Sequence, residues 1–204
     1  MTLSLFPGLG RSSGYATWRI APGNGMIDLS GYTTGGFSRG ASPLMEAAWW
    51  AVRALFFQTP LPWPSALRVG LLRLFGARIG EGVVVRSHVN ITFPWRFCAG
   101  DHVWLGEEVL ILSLAPVTIE SNCCISQRAF LCTGSHDFRS PAFTLRTKPI
   151  TIREGSWVAA AAFIAPGVQV GPGSMVAAGS VVLADVPPGV MVRGNPAAVV
   201  KQVG

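Results

Sequence analysis

An aliphatic residue recurs at every sixth position near the end of the chain: Ile152, Val158, Ile164, Val170, Val176 and Val182. Four places after each stands a small or aliphatic residue: Ser156, Ala162, Val168, Ser174, Ser180 and Val186. A helix would repeat about every 3.6 residues and a half-buried strand about every 2. A beat of six over this length suits neither and marks a hexapeptide-repeat β-helix. Each repeat is a short strand and a corner, and three make one coil of a triangular prism. The first residue points inward and meets its copy in the next coil. The fifth fits the tight inner corner, and the residues between take the positive φ that glycine adopts freely. No coil can bury its own core, so coils must stack. Burial of each aliphatic side chain stabilises the stack by about 1.5–3 kcal/mol.

The beat begins earlier, at Ile79. Inward positions run Ile79, Val85, Ile91, then Ala99, Leu105, Ile111, then Ile119, Ile125, Leu131, with steps of six inside each triplet and eight between triplets. Their corner residues are Val83, Val89, Trp95, Val103, Val109, Ala115, Cys123, Ala129 and Ser135. Trp95 is too large for a corner and implies a local bulge. The triplets add up to five coils of three strands, an all-β domain over 78–187. One long break, residues 135–149, separates Leu131 from Ile152 and reads as a protruding loop. Solenoids carry function on such excursions, because the coils only stack. Pro187 and Pro188 stop the coil, and a tail occupies 188–204.

Ahead of the repeat, residues 1–42 are rich in Gly, Ser and Thr and read as an arm. A frayed terminus is the simpler expectation, and wrapping of a neighbour or of the acceptor site is the other. Residues 43–58 read as a helix with Ser42 as cap and Pro43 in the first turn. A second helix is expected over 65–75. Together, 43–77 form a helical segment too short and too charged to span a bilayer. It can cap the open end of the prism. Alternatively, residues 43–75 touch a membrane surface and hold the protein near lipid-linked substrates.

The 204 residues are half hydrophobic and 13% charged, which allows a large core. The net charge is +6, but the bases are scattered and not interleaved with aromatics, so nucleic acid is not an expected partner. An anionic small ligand or membrane surface remains open. The four cysteines form no CxxC, and Cys123 and Cys132 fall inside the repeat. They read as reduced packing residues in a reducing compartment. The first residues lack the basic start and apolar run of a signal peptide, so a cytoplasmic location is expected, possible also at the inner face of the membrane.

Three histidines are present: His88, His102 and His136. A zinc carbonic anhydrase of the β-helix type would need three converging histidines, two of them close in sequence. The spacings of 14 and 34 do not supply them, and no metal is expected. His88 and His102 sit mid-hexapeptide, as surface or turn residues. His136 stands at the root of the long loop. A neutral imidazole there is a candidate general base, a role that contributes about 10²–10⁴ in rate. Asp137 is a candidate to orient it.

The stretches FSRGAS, EAAWWAVRALFF, LLRLFGARIG, ISQRAFLCTGSHDFRSPAF and the hexapeptide tail ending in RGNPA resemble the left-handed β-helix acyltransferases. Within them the chain is similar to the maltose/galactoside O-acetyltransferases, and most to the colanic-acid-type exopolysaccharide acetyltransferases. The resemblance covers nearly everything from Phe37 onward. It implies a left-handed parallel β-helix, acetyl-CoA as co-substrate, and a homotrimer with sites between subunits. The acceptor would be a sugar or lipid-linked oligosaccharide. His136 matches the catalytic histidine. Trp157 matches a tryptophan of the acyl-transfer site, Ala160 a backbone N–H donor to the thioester carbonyl, and Ala178 a pantetheine contact. A Thr-Lys of the family is replaced by Leu183-Ala184, and a C-terminal arginine by Ala198; Arg193 and Lys201 stand near enough to meet CoA phosphates. For the acceptor, Asn90 and the loop cations Arg139, Arg146 and Lys148 are candidates. An antibiotic O-acetyltransferase and a non-catalytic β-helix scaffold are the competing readings.

Overall fold

The computed structural model describes residues 27–203. Short strands follow the six-residue beat. The first coil is β1 (Arg78–Ile79), β2 (Val84–Val85) and β3 (Asn90–Ile91); the second is β4 (Phe97–Ala99), β5 (Trp104–Leu105) and β6 (Leu110–Leu112); the third is β7 (Val117–Ile119), β8 (Cys124–Ile125) and β9 (Phe130–Cys132). A hairpin, β10 (Gly134–His136) and β11 (Leu145–Thr147), then leaves the prism. The fourth coil is β12 (Ile150–Ile152), β13 (Trp157–Val158) and β14 (Phe163–Ile164), and the fifth is β15 (Gln169–Val170), β16 (Met175–Val176) and β17 (Val181–Val182). The chain closes with β18 (Val190–Gly194) and β19 (Ala197–Gln202), an antiparallel pair.

Three parallel sheets form the walls. The first is β1-β4-β7-β12-β15, the second runs from β2 through β5, β8, β13 and β16 to β18, and the third is β3-β6-β9-β14-β17. Register places like on like: Val85, Leu105, Ile125, Val158, Val176 and Val192 form one inward column, all buried. Five coils are complete, but the winding does not end with them. Val186 bridges to Val170 and β18 pairs with β16, so a sixth turn begins where five were expected to finish.

One other expectation needs correction, and one holds. Ser135 is exposed on β10 and fills no corner. The chain leaves the prism two residues earlier, at Thr133, which is buried with its hydroxyl donating to Leu112 O and accepting from Ala115 N. The hairpin therefore starts inside the corner itself. Trp95 does sit on an irregularity, a 3₁₀ turn over Pro94–Arg96, with its indole N–H donating to Arg39 O.

Helix α1 (Pro43–Phe56) starts at Ser42, whose hydroxyl accepts from Met45 N at 3.3 Å, and α2 (Ser65–Leu74) follows. Trp49, Phe57 and Leu72 are fully buried, and the Trp49 indole donates to Ile91 O at 3.1 Å. These side chains cover the aliphatic end of the first coil, which would otherwise face water. His88 and His102 occupy turn positions at φ 59° and 56°. They belong to stacked corners continued by Glu108, Arg128, Ala161 and Gly179 in one column and Asn122, Gly155 and Gly173 in the other.

Candidate active site

His136 is presented by β10, opposite Leu145 of β11. Its ring lies flat on Phe143, centroids 4.2 Å apart and planes 5° from parallel. Nδ1 stands 3.0 Å from Phe143 O. A carbonyl only accepts, so Nδ1 is the donor, and Nε2 is the ring nitrogen with no hydrogen-bond partner among the described residues. The backbone thus fixes both the tautomer and the plane of the imidazole. Phe143 reaches this place through a left-handed conformation, φ 45°, at the end of the hairpin loop.

Asp137 does not orient the imidazole. Its carboxylate is bonded to Arg146 and to the N–H of Arg139, and the Arg146 bond holds it below the usual carboxylate range. Alternation along the hairpin strand turns the two neighbours apart. Arg139 lies over the Phe138 ring at the hairpin tip, and Lys148 packs its stem beside Gly167. None of Arg139, Arg146 and Lys148 lines the hollow beside His136. Asn90 is structural too: its Oδ1 accepts from Arg53 Nη1 at 3.1 Å, tying α1 to the first coil.

That hollow has a volume of about 470 Å³. Its walls come from four places: the arm (Tyr32, Phe37, Arg39), α1 (Trp50), the first two coils (Phe93, Leu114) and the hairpin. The described part of the arm is therefore not a frayed end. Asp28 N donates to Pro141 O, Thr33 N to Ala142 O and Leu145 N to Thr33 O, so residues 28–33 lie along the hairpin. Arg96 clamps the next stretch by donating to Ser38 O and Leu114 O while covering the Phe37 ring. Residues 1–26 of the arm lie outside the described residues.

A second set of candidates gathers on another edge. Trp157 points outward from β13, is 45% exposed, and is pinned by its indole N–H donating to Ser126 Oγ at 2.8 Å. Ala160 and Ala178 occupy the corner between the second and third sheets, one coil apart, and Gly179 N donates to Ala160 O at 2.9 Å. Neither Ala160 N–H nor Ala178 N–H is engaged among the described residues. The side chains at this corner are small, so its unengaged amides are not covered by bulk from their own residues. Arg193, in β18, continues the stack: Ala177 N donates to Val192 O, and Gly194 N to Ser180 Oγ. Lys201 lies opposite Met191 on β19, and both cations are exposed. Cation, alanine and tryptophan thus share one edge, while His136 springs from the corner between the third and first sheets.

No protein-family model matches the chain. WcaF of Escherichia coli K12, named for colanic acid biosynthesis acetyltransferase, is 44% identical over 177 residues, covering 87% of this chain and 97% of its own. The chain belongs to the hexapeptide-repeat acetyltransferases. Nodulation protein L of Rhizobium meliloti is 38% identical over 141 residues, 67% of this acetyltransferase and 74% of that protein. Among solved structures, the hexapeptide-repeat acetyltransferase VCA0836 of Vibrio cholerae, complexed with acetyl-CoA, superposes with TM-score 0.73 at 28% identity, over 88% of this acetyltransferase and all of that chain.

Sequence reasoning missed the partners that give His136 its geometry. Phe143 carried no signal beyond its place in the loop. Tyr32, Phe37 and Trp50 lie 86 or more residues before His136, and only the tertiary path of the arm brings them together. Trp50 did leave a trace, since it is the helix's second consecutive tryptophan and could not share the buried face with Trp49.

Proposed function

We propose that the protein transfers an acetyl group from acetyl-CoA to a hydroxyl of a sugar in exopolysaccharide or surface-glycan synthesis. The observation that carries this reading is the 3.0 Å contact between His136 Nδ1 and Phe143 O beside the hollow, which leaves Nε2 available to serve as a base. His136 Nε2 takes the hydroxyl proton as that oxygen bonds to the acyl carbon. The Ala160 N–H donates to the acyl oxygen as negative charge develops on it. The carbon–sulfur bond then breaks, and the imidazolium returns its proton to the departing sulfur. Trp157 walls the acyl end, the small Ala178 leaves room for the thin pantetheine arm, and Arg193 and Lys201 supply charge for phosphates. No step needs a metal, and no cluster of three metal-ligating side chains occurs among the described residues.

Within one prism His136 and the alanine corner lie on different edges, so this chemistry needs a neighbouring copy. The outward faces support one. The second sheet presents Trp104, Cys124, Trp157 and Met175, and the third presents Leu110, Phe130, Phe163 and Val181. The first presents Arg78, Cys98, Thr118, Thr151 and Gln169. Apolar columns on two walls that share an edge suit a closed trimer around a three-fold axis, with a site at each junction. The test is release of CoA thiol from acetyl-CoA with a panel of sugar glycosides, followed by mass spectrometry of the acceptor. An acetylated sugar is expected. Acetyl-CoA left intact with every acceptor, by protein that binds it, would refute the reading.

A further inference from the structure

The two helices lie across one end of the prism. Arg73 donates through Nε and Nη2 to Ile79 O on the first sheet. On the second, Ser65 Oγ accepts from Val85 N and Arg68 Nη1 donates to Val85 O. On the third, the Trp49 indole donates to Ile91 O. Each sheet's first strand thus meets a helix, and the far sides of α1 and α2 look away from the coils. A surface helix ordinarily turns charged and polar residues to water. Every exposed residue of α1 is instead apolar, with Leu44 at 80% and Leu55 at 51% exposure. Its two charges are turned inward: Glu46 is buried against Arg39, and Arg53 donates to Asn90 Oδ1. The connecting loop adds exposed Leu61, and α2 adds exposed Leu67 and Leu74, two turns apart on one helix face.

Around this apolar face one sign of charge is in excess. Residues 43–86 hold five arginines and two glutamates. Arg53, Arg68, Arg73 and Arg78 form no ion pair among the described residues, and Arg73 and Arg78 are exposed. Arg86 is matched by Glu107 at 3.3 Å. Against these stand two carboxylates outside any ion pair, Glu81 and Asp101, which share one corner through the bond from Glu81 N to Asp101 Oδ1. Two copies meeting cap to cap would bring the arginines together, and like charges repel. A bilayer surface with anionic headgroups answers both features. Its acyl boundary takes the leucines and its phosphates take the guanidinium groups. With 14 residues, α1 is about 21 Å long, short of the roughly 30 Å hydrocarbon core, so it suits the plane of the interface and not a span.

We infer that the far face of α1 and α2 docks this protein on a bilayer surface that carries anionic phospholipid. The inference stands apart from the acetyl-transfer reading, since its test needs no turnover. Full-length protein is sedimented with two kinds of vesicle, phosphatidylcholine alone and phosphatidylcholine with about one-third phosphatidylglycerol. Binding to the anionic vesicles should be at least about tenfold tighter, and salt near about 1 M should erase the difference. Leu67→Ser combined with Leu74→Ser should weaken binding to the anionic vesicles at least about tenfold, while Tm and acetyl-CoA affinity stay as in wild type. Should that pair lower Tm, Leu44→Ser carries the same expectation in its place. Arg78→Gln should weaken the anionic binding about fivefold, the scale of one basic residue at a charged surface. Equal binding to both vesicles, binding to neither, or a leucine variant that binds like wild type overturns the inference. So does a doubling of particle mass in light scattering that the leucine variant abolishes, without vesicle binding, because the face would then join two copies.

Discussion

Replacing His136 by asparagine isolates its chemistry from its place in the fold. The side-chain amide of asparagine can donate to Phe143 O where Nδ1–H does now, at 3.0 Å, but it has no basic nitrogen at the position of Nε2. The stack on Phe143, with centroids at 4.2 Å, is weakened. An aromatic pair of this kind contributes about 0.5–1.5 kcal/mol. In a chain of this size about 1 kcal/mol moves Tm by about 2–4 °C. The loss of a general base costs about 10²–10⁴ in turnover. At about 1.36 kcal/mol per decade that is about 2.7–5.4 kcal/mol of barrier. The two effects thus differ enough to be read apart. Thiol release gives kcat, a thermal melt gives Tm, calorimetric titration gives acetyl-CoA affinity, and light scattering gives the assembly state. Turnover should collapse while the melt shifts by a few degrees, and acetyl-CoA affinity should hold, because the alanine corner is on another edge. Turnover within about threefold of wild type would refute the assignment of His136 as base.

Three further outcomes follow from the structure. Phe163→Asp puts a charge in the outward column of the third sheet, and should leave a monomer by light scattering with activity lost; an intact, active trimer would exclude that wall from the interface. Ile125→Ala removes a fully buried side chain between Leu105 and Val158 and should cost about 2–5 kcal/mol in urea unfolding, whereas a loss below about 1 kcal/mol would contradict the stacked core. Burial pushes the Cys123 thiol up to about 11, so mass-spectrometric mapping should find it unalkylated by iodoacetamide at pH 8, where only about one thiol in a thousand is ionised. A raised folded value means this thiol's contribution to stability is full below its ordinary value of 9.0 and is lost as pH rises through about 11. Rapid labelling of the folded protein at pH 8 would refute its burial.

The winding was legible in the residues themselves. A buried column needs one aliphatic per wall per coil, so a period of six must be written into the chain wherever a wall exists, and Ile79 to Val182 carry it openly. The corner at Thr133 was misread as Ser135, because a small polar residue at the right interval looks the same whether it turns inward or leaves with a hairpin. The sixth turn was missed because Pro187 and Pro188 look like a stop, although sheet pairing resumes at Val190.

The site was only half written in the sequence. His136 announced itself by standing at the one long break in a regular pattern. What holds it did not, because a hydrogen bond to Phe143 O depends on the backbone path of the loop and not on the identity of the acceptor residue. Asp137 looked a better partner by chemistry, yet strand alternation turns it to Arg146. The hollow beside His136 exists only because the arm lies across the hairpin and brings Tyr32, Phe37 and Arg39 to residues a hundred positions away. Periodic burial is a local demand that each residue answers alone; a cavity is set by where distant segments meet, and that is decided by packing.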